Sequence, residues 1–442
     1  MRRHLGIAAF IVATVLGWAG QAAAQDPVSY WNQRALEAVA ARGATPATII
    51  DIAIVQIAMH DAVQAYDQRF QTYAASVTGA KGSVSVAAAK AARDVLANRF
   101  SSPAQLTTIN GWYSTYLASL APAPSAGDIS DGESAGAAAA ANVIALRATD
   151  GSFPATFTQF TGGTGAGEWS PNTNTPGMVS PWAKDVTPYA LDSLSRCEAA
   201  PVPLLSSAEW AEAYNEVKAY GAANSTVRTT EQSSIAKTFS GNFLAQYERL
   251  IRELAAAHRG ATNLPSLGDR ARLLALTNIA MADAFICAWT TKQQFNFWRP
   301  FHAIRRGPED GNILTDPDPN WTSYFSRGNI NAAQHPNYPD YTWGANNLTG
   351  SMTRMLELFF DTDKVEFDVY AAAPTVPLDP TIDPDPRHYT KFSDLAKDVI
   401  DARVYLGIHY RFADTEARSQ GRRVANYTFK NVLQPIDKHG NK

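Results

Sequence analysis

The stretch that decides the fold is ADAFICAWTTKQQFNFWRPFHAIRR, residues 282–306, an apolar segment that carries two cations at helical spacing. Lys292 and Arg299 lie seven residues apart, about two helical turns, so both side chains project from one helical face. Pro300 follows directly and bends or ends the helix. Cations among aromatic residues are costly unless they meet an anion, and a lysine with an arginine suits a tetrahedral oxyanion. The spacing alone also fits two exposed basic residues or salt bridges to distant acids.

A second informative segment, DARVYLGIHYRF at residues 401–412, lies about 100 residues downstream. Its Arg403 and His409 are six residues apart, roughly 120° around a helix, and a long arginine side chain accommodates that offset. A histidine within an apolar and aromatic run is either a satisfied core residue or a ligand. This segment alone leaves both interpretations open.

Together the two segments resemble the signature of one superfamily. K-x6-R-P followed far downstream by R-x5-G/H is similar to the motif pair of the vanadium-dependent haloperoxidases and type 2 phosphatidic acid phosphatases. The resemblance runs from about residue 30 to 430, includes the stretches at 58–62, 272–276, 282–284 and 298–300, and is of the secreted bacterial kind. It implies an all-α fold with two four-helix bundles and an anion held at the end of one bundle.

The resemblance also implies roles for four residues. Lys292, Arg299 and Arg403 would neutralise the oxygens of vanadate or, in a phosphatase, of phosphate. His409 would be the axial vanadium ligand, and so the metal-binding residue, or the nucleophile that accepts a phosphoryl group. A neutral imidazole suits both tasks because it is a good metal ligand and a competent nucleophile.

The middle motif departs from the family pattern, which is Pro-Ser-Gly-His preceded by His-Pro-x-Tyr. The run His335-Pro336-Asn337-Tyr338-Pro339 is present, but Asp340-Tyr341-Thr342 then replaces the serine donor, the close-approach glycine and the acid–base histidine. In the third motif, Ala402 stands where serine is usual. Loss of an acid–base residue typically costs about 10²–10⁴ in rate. A carboxylate at Asp340 also repels a bound oxyanion unless it is protonated or directed away.

Three interpretations of the altered motif follow. Asp340 serves as the acid with a raised pKa, or His302 or His335 supplies the missing imidazole, or the site binds an oxyanion or nothing and does not turn over. His302 lies three residues after Arg299, and His335 lies on the same loop as Asp340. The candidate catalytic residues are therefore His409, His302 and Asp340.

The remaining sequence is mostly helical in pattern and predicts an all-α fold. The predicted helices cover residues 46–66, 84–99, 131–148, 207–222, 230–257, 267–298, 346–361 and 390–430. Residues 151–202 form a long connection rich in Gly, Pro, Thr, Ser and Trp, and such segments are often functional. Sustained period-2 alternation is lacking, so no strand is predicted. We expect an N-terminal helical region at 25–225, packed on a C-terminal core at 226–442 that carries the oxyanion site.

The first 24 residues have the pattern of a signal peptide. Arg2 and Arg3 form a basic start, an apolar run follows, and small residues precede Gln25. We expect cleavage after Ala24 and a secreted or periplasmic protein. No later stretch reaches spanning length without charges, so we predict no membrane span.

Composition excludes several classes of function. The 442 residues contain 38 basic and 41 acidic side chains, a formal charge of −3, whereas a nucleic-acid binder usually shows a basic excess. Two cysteines exclude a disulfide scaffold or a thiolate zinc cluster. Cys197 and Cys287 form one bridge in an oxidising compartment, or Cys287 is a buried thiol; both alternatives stay open. The oligomeric state is not predicted.

One further pair of candidate ligands is adjacent in the chain. His60 and Asp61 are of metal-ligating type, but neighbours on a helix point to different faces. The resemblance implies a structural role for this pair, and we predict that role.

Three functions therefore remain. The first is a haloperoxidase that binds vanadate, activates hydrogen peroxide and oxidises a halide. The second is a phosphatase that uses His409 covalently on a phosphate ester. The third is a homologue that keeps an anion pocket without catalysis. A proton acceptor near bound peroxide distinguishes the first from the third.

Overall fold

The computed structural model describes residues 26–43, 45–172, 176–258, 260, 262, 264–306, 308–329, 335–372 and 386–436. Within these residues the chain forms thirteen α-helices and one two-stranded sheet, which confirms the predicted all-α class. The helices are α1 (Pro27–Arg42), α2 (Ile49–Asp67), α3 (Val84–Arg99), α4 (Pro103–Ala118), α5 (Ala126–Arg147), α6 (Ala208–Tyr220), α7 (Thr230–Thr238), α8 (Phe243–Ala257), α9 (Leu267–Phe295), α10 (Pro300–Arg305), α11 (Gly344–Phe360), α12 (Phe392–Leu406) and α13 (Arg411–Asn431).

Helices α2 and α9 form the centre of the molecule because they are apolar on nearly every side. A helix that is hydrophobic all round is buried, and every residue of α2 from Ile49 to Ala65 is buried. Helix α9 is buried over almost its whole length and packs against α2, α11 and α13. Its 29 residues span about 43 Å. The last turn of this central helix carries Lys292.

The same two helices are long and apolar enough to cross a membrane by length and composition. They are Pro46–Asp67 and Leu267–Phe295, and 94% of the most apolar window of each is buried inside the protein. Such burial is typical of the core helices of a globular fold, so the two helices are weak evidence for a span. The absence of a span stays a prediction.

Three predicted helices end or break earlier than expected. Helix α9 ends at Phe295, because Asn296 adopts a left-handed conformation with a φ of 47°. The predicted helix over 230–257 divides into α7 and α8, and the one over 390–430 divides into α12 and α13. At the second break Gly407 has a φ of 74°, and a Cβ there would collide with the Gly221 carbonyl oxygen. Glycine alone combines that conformation with that close approach.

Three helices, α1, α4 and the short α10, and a small sheet are absent from the sequence prediction. Helices α1 and α4 each follow a capping side chain, Asp26 or Ser102, and each has proline in its first turn. Strands β1 (Phe367–Val369) and β2 (Arg387–Tyr389) pair antiparallel. The prediction of no strand is wrong here, because three residues are too few to show an alternating pattern.

The long connection at 151–202 is irregular, as predicted, and α9 holds it at several points. The Asp283 carboxylate accepts hydrogen bonds from the backbone N–H groups of residues 189–191, at 2.6, 2.8 and 3.0 Å. One turn further along α9, Cys287 forms a disulfide with Cys197 of the connection. Of the two alternatives for the cysteines, the structure therefore has the bridge.

One buried apolar cluster includes residues from both predicted regions, such as Ile57 of α2 and Leu276 of α9. The division of the chain at residue 225 stays a prediction. The predicted signal peptide at 1–24 lies outside the described residues.

Candidate functional site

Lys292 lies in the last turn of α9 and contacts the loop that precedes α11. It is fully buried, and its Nζ donates to the carbonyl oxygens of Pro339 at 2.6 Å and Asp340 at 2.9 Å. Burial and the charge of Arg299 lower the pKa of Lys292 well below its usual value, while Asp340 and Asp414 raise it. Lys292 therefore joins the altered motif to the end of the central helix.

Arg299 lies outside α9, at the residue that precedes α10. The expectation that Lys292 and Arg299 project from one helical face is wrong, because α9 ends before Arg299 is reached. Both side chains nevertheless reach the same loop, since Arg299 Nε donates to the Tyr338 carbonyl at 2.7 Å. Its Nη1 donates to the Ile408 carbonyl at 2.9 Å and lies 3.3 Å from His409 Nε2.

Arg403 and His409 are not on one helix, contrary to the predicted offset. Arg403 occupies the last turn of α12, which ends at Leu406, and His409 lies in the connection to α13. The left-handed turn at Gly407 reverses the chain between them. This turn, rather than helical periodicity, sets the position of His409.

The guanidinium of Arg403 is held where α7 and α8 separate. Its Nη1 donates to the Phe239 carbonyl at 2.9 Å, and its Cζ lies 3.9 Å from the centre of the Trp343 ring. The same Trp343 ring lies 4.8 Å from the ring of His409. Burial lowers the pKa of Arg403 to about 10, so it is charged at neutral pH. Arg403 and His409 therefore share one aromatic neighbour.

His409 and Asp340 form a fully buried pair in which Nδ1 lies 2.7 Å from Oδ1. Burial, followed by the charges of Arg299, Arg403 and Lys292, lowers the pKa of His409 well below its usual value, so the ring is neutral. Burial raises the pKa of Asp340 to about 7, although two of the same cations lower it. Although the two atoms are close, His409 Nδ1 has no hydrogen-bond partner among the described residues. With the proton on Nδ1, Nε2 accepts from Arg299 Nη1, so a ligand at Nε2 competes with Arg299 for the same lone pair.

A second buried carboxyl at the site belongs to Asp414 of α13, a residue that the sequence analysis does not single out. Burial raises the pKa of Asp414 well above its usual value, while the Asn346 amide and Arg403 lower it. Asn346 lies in the first turn of α11 and is fully buried. The available sequence signal is an acid five residues after His409 in an aromatic stretch, which is too general to identify it.

The other two candidate histidines are not brought to His409. His302 accepts a hydrogen bond on Nδ1 from the backbone N–H of Arg299 at 3.4 Å and so caps α10. His335 stacks on Phe301, with ring centres 4.1 Å apart. Burial lowers the pKa of His302 to about 3 and that of His335 well below its usual value. Among the described residues, no hydrogen bond or ring contact joins either histidine to His409.

The two residues after Asp340 serve as anchors. Thr342, which stands in place of the acid–base histidine, is fully buried and donates its hydroxyl to the Gln420 side chain. Tyr341, which stands in place of the glycine, donates its hydroxyl to the Ala200 carbonyl at 2.6 Å. Its ring packs against aromatic neighbours such as Phe412. The altered motif therefore holds the loop in place and presents no imidazole.

The donors that remain unpaired indicate that an oxyanion fits. Across the described ranges, Arg299 Nη2 and Arg403 Nε are buried without a hydrogen-bond partner. An unsatisfied buried donor is costly, so an anion that accepts from both atoms is stabilised. Groups of three or more His, Cys, Asp or Glu that could hold a metal cation do not occur among these residues. The donor set suits a tetrahedral oxyanion such as vanadate or phosphate.

Comparison with known families and proteins shows what the chain is similar to in sequence and fold. Residues 272–438 match the family model described as the VCPO second helical-bundle domain. The vanadium chloroperoxidase of Curvularia inaequalis is 26% identical over 208 residues, which cover 39% of this chain and 33% of that protein. The match thus spans about a third of that relative's length.

Solved structures resemble the chain over most of its length. A bacterial vanadium-dependent iodoperoxidase has a TM-score of 0.72 at 20% identity, with 93% of this chain and 97% of that chain covered. An apo-type bacterial vanadium-dependent chloroperoxidase has a TM-score of 0.68 at 17% identity, with 86% and 92% covered. At these identities the likeness shows the fold. Together with the matched domain, it supports the resemblance to the vanadium haloperoxidase superfamily that the motif pair indicates.

Proposed function

We propose that the protein is a vanadium-dependent haloperoxidase that binds vanadate and oxidises a halide with hydrogen peroxide. One observation carries the proposal: Arg299 lies 3.3 Å from His409 Nε2, and Arg299 and Arg403 keep buried donor atoms unpaired. The names of the relatives, which are vanadium chloroperoxidases and an iodoperoxidase, support the same cofactor.

In this proposal Lys292, Arg299 and Arg403 hold the oxygens of vanadate by charge, and His409 Nε2 is its protein ligand. When bound, vanadate supplies the Lewis acidity that activates peroxide toward halide. The Asp340 carboxyl lies beside Nδ1, and a proton on Nδ1 leaves Nε2 as the acceptor atom. Burial of these side chains limits contact with bulk water, which strengthens the charge contacts in the site.

Of the three candidates for the missing acid–base residue, the geometry brings Asp340 to His409, on the Nδ1 side of the ring. Asp340 contacts His409, whereas among the described residues neither of the other two histidines does. This supports the first of the three interpretations of the altered motif.

A second candidate function is oxyanion binding without turnover. One observation favours it: Thr342 replaces the acid–base histidine, and its hydroxyl is committed to Gln420. The phosphatase alternative uses the same His409 as nucleophile, but the full burial of His409 and Asp340 favours small inorganic substrates over an ester.

We also propose that the protein is exported after cleavage near Ala24. The bridge between Cys197 and Cys287 supports this, because disulfides persist in oxidising compartments. Detection of the mature protein, beginning at Gln25, in the periplasm or culture medium tests it. Full-length protein confined to the cytoplasm would contradict it.

The test of the proposed function is an assay of the purified mature protein with and without orthovanadate. Peroxide-dependent bromination is followed beside hydrolysis of a chromogenic phosphate ester. We expect vanadate-dependent bromination, and we expect His409→Ala to abolish it because Nε2 is lost.

His388→Ala is the matched control for this assay. His388 lies on strand β2, its side chain is 59% exposed, and it pairs with Asp368 away from the site. We expect this variant to keep full activity. Vanadate binding in a folded protein that shows neither activity would identify the non-catalytic alternative, and ester hydrolysis without bromination would identify the phosphatase.

A further inference from the structure

The side-chain amide of Gln420, on α13, makes hydrogen bonds to three other segments. Its Oε1 accepts from the hydroxyl of Thr342, in the altered motif. Its Nε2 donates to the Cys197 carbonyl at 2.6 Å and to the Thr291 hydroxyl at 3.0 Å. Gln420, Thr342, Thr291 and Cys197 are all buried. One side chain on α13 therefore couples the loop of the oxyanion site to the long connection and to α9.

Besides the altered motif, Gln420 contacts the long connection and α9, and the disulfide joins these two segments. Cys197 ends the 3₁₀ helix Leu194–Cys197, and its bridge to Cys287 fixes that helix on α9. The Thr291 hydroxyl, which Gln420 contacts, donates in turn to the Cys287 carbonyl at 2.9 Å. The bridge thus joins the two segments that carry Cys197 and Thr291, the hydrogen-bond partners of Gln420 Nε2.

A second tether leaves the same connection and reaches the same loop. Tyr341 donates its hydroxyl to the carbonyl of Ala200, three residues after Cys197. On the opposite side, Lys292 Nζ binds the carbonyl oxygens of Pro339 and Asp340. The segment at 339–342 is therefore held from one side by the site cation and from the other by the bridged connection.

A cavity borders the bridge, although both cysteines are buried. This cavity of about 270 Å³ is lined by both cysteines together with Ser195, Thr290 and Gln294, among others. This cavity is distinct from the set of cations, which lies at the end of α9 beyond Thr291.

We propose that Gln420 and the Cys197–Cys287 disulfide position the segment at 339–342. Reduction of the bridge then weakens anion binding at the site. The proposal rests on the proposed function, because the affected ligand is the oxyanion held by Lys292, Arg299 and Arg403. Gln420 is a positioning residue, since it reaches the site through Thr342 and does not touch the anion.

The chemistry is thiol–disulfide exchange with a dithiol. The reductant attacks one sulfur, a mixed disulfide forms, and the second thiol of the reductant closes its own disulfide and releases the protein thiol. Two electrons and two protons pass from the dithiol to the sulfurs of Cys197 and Cys287. Without the bridge, the 3₁₀ helix and the carbonyl groups at 197 and 200 are free to move away from α9.

The experiment measures hydrogen exchange of residues 339–345 and the affinity for inorganic phosphate in the mature full chain, before and after treatment with dithiothreitol. We expect faster exchange in this segment and about a tenfold loss of phosphate affinity on reduction, the size usual for loss of an outer contact. Exchange in α3, which lies away from the bridge, should not change. The double variant Cys197→Ser with Cys287→Ser should reproduce the reduced state.

Gln420→Leu separates positioning from general stability. If Gln420 transmits the effect, the variant behaves like the reduced protein, and reduction then adds little, because the two changes remove one coupling. The matched control is Gln64→Leu, a buried glutamine of α2 whose side chain holds the backbone at 69–70. It should retain the full response to reduction.

Unchanged exchange and phosphate affinity on reduction would overturn the proposal, as would additive effects of Gln420→Leu and reduction. If the oxidised protein binds neither phosphate nor vanadate, the proposed function fails. The exchange measurement still decides whether the bridge positions the loop.

Discussion

The described residues include two buried histidine–aspartate pairs that differ in their hydrogen-bond partners. His60 and Asp61 are adjacent on α2, yet each bonds to the backbone of the next segment. His60 Nε2 lies 3.0 Å from the Gln71 carbonyl, and Asp61 accepts from the N–H groups of Tyr73 and Ala74, each at 2.8 Å. This pair holds the segment at residues 71–74 on α2, which is the structural role that the sequence analysis predicts.

His409 and Asp340 are 69 residues apart in the chain and face one another at 2.7 Å. Around them, Arg299 and Arg403 keep unpaired donors. The difference shows that two residues adjacent in the sequence need not form a functional pair. In the first pair, backbone groups bind His60 Nε2 and both Asp61 oxygens and leave only His60 Nδ1 without a partner, so that pair stabilises the fold. The second pair lies beside unpaired buried donors of two arginines and has capacity left for a ligand.

The largest effect that sharpens this comparison is expected at Arg299. Arg299→Ala should lower the affinity for vanadate and phosphate about 100-fold, because removal of one buried charged partner typically costs about 2–5 kcal/mol. Titration calorimetry measures this. Arg299→Lys keeps the charge without the planar fork and should lose about tenfold, which covers the case in which the alanine variant is unstable.

Arg249→Ala is the control for this prediction, because Arg249 pairs with Glu253 on the exposed face of α8. It should leave anion affinity unchanged. Equal affinity in Arg299→Ala and the native protein would remove Arg299 from the site.

The next effect concerns the structural pair and its response to acid. Burial lowers the pKa of His60 to about 4 from 6.5. Above pH 6.5 the ring is neutral in both the folded and unfolded states. As the pH falls from 6.5 to 4, the unfolded chain takes up a proton that the folded protein does not, so stability is lost. The loss attributable to His60 is about 3 kcal/mol, at about 1.4 kcal/mol per pKa unit.

His60→Gln should flatten the stability profile between pH 6.5 and 4 by this amount, measured by urea unfolding. The glutamine amide can still donate to the Gln71 carbonyl, and the charged neighbours Arg272 and Asp67 are unchanged. Parallel profiles for the native protein and the variant would show that His60 does not stay neutral on folding.

The smallest predicted effects come from comparing substitutions of Asp340 and Asp61. Asp340→Asn removes a negative charge near the proposed anion and should strengthen phosphate binding about fivefold at pH 8. Asp61→Asn should leave that affinity unchanged and lower the free energy of unfolding by about 2 kcal/mol, because one of two backbone N–H groups loses its acceptor. Calorimetry and urea unfolding measure the two quantities. Weaker phosphate binding in Asp340→Asn would contradict the placement of the anion beside this carboxyl.

The sequence predicts the four residues of the cation and histidine set, because the motif pair resembles a known signature and the residue types suit one chemistry. It misplaces two of them on helices, since the ends of α9 and α12 depend on left-handed residues at Asn296 and Gly407. Propensity does not reveal that these residues end a helix in this context. Asp414 escapes notice for a related reason, since its burial beside Arg403 is a property of packing.

By itself, the sequence determined the all-α class, the superfamily resemblance and the residue types that meet an oxyanion. The class follows from local patterns of apolar residues and the residue types from charge, whereas the resemblance rests on the motif pair; a linear chain displays all three. The tertiary structure alone decided that Asp340 faces His409, that His302 and His335 belong to packing contacts, and that Cys197 and Cys287 are bridged. Each of those outcomes depends on which distant segments come into contact, and burial then determines which polar atoms are paired and which are left for a ligand.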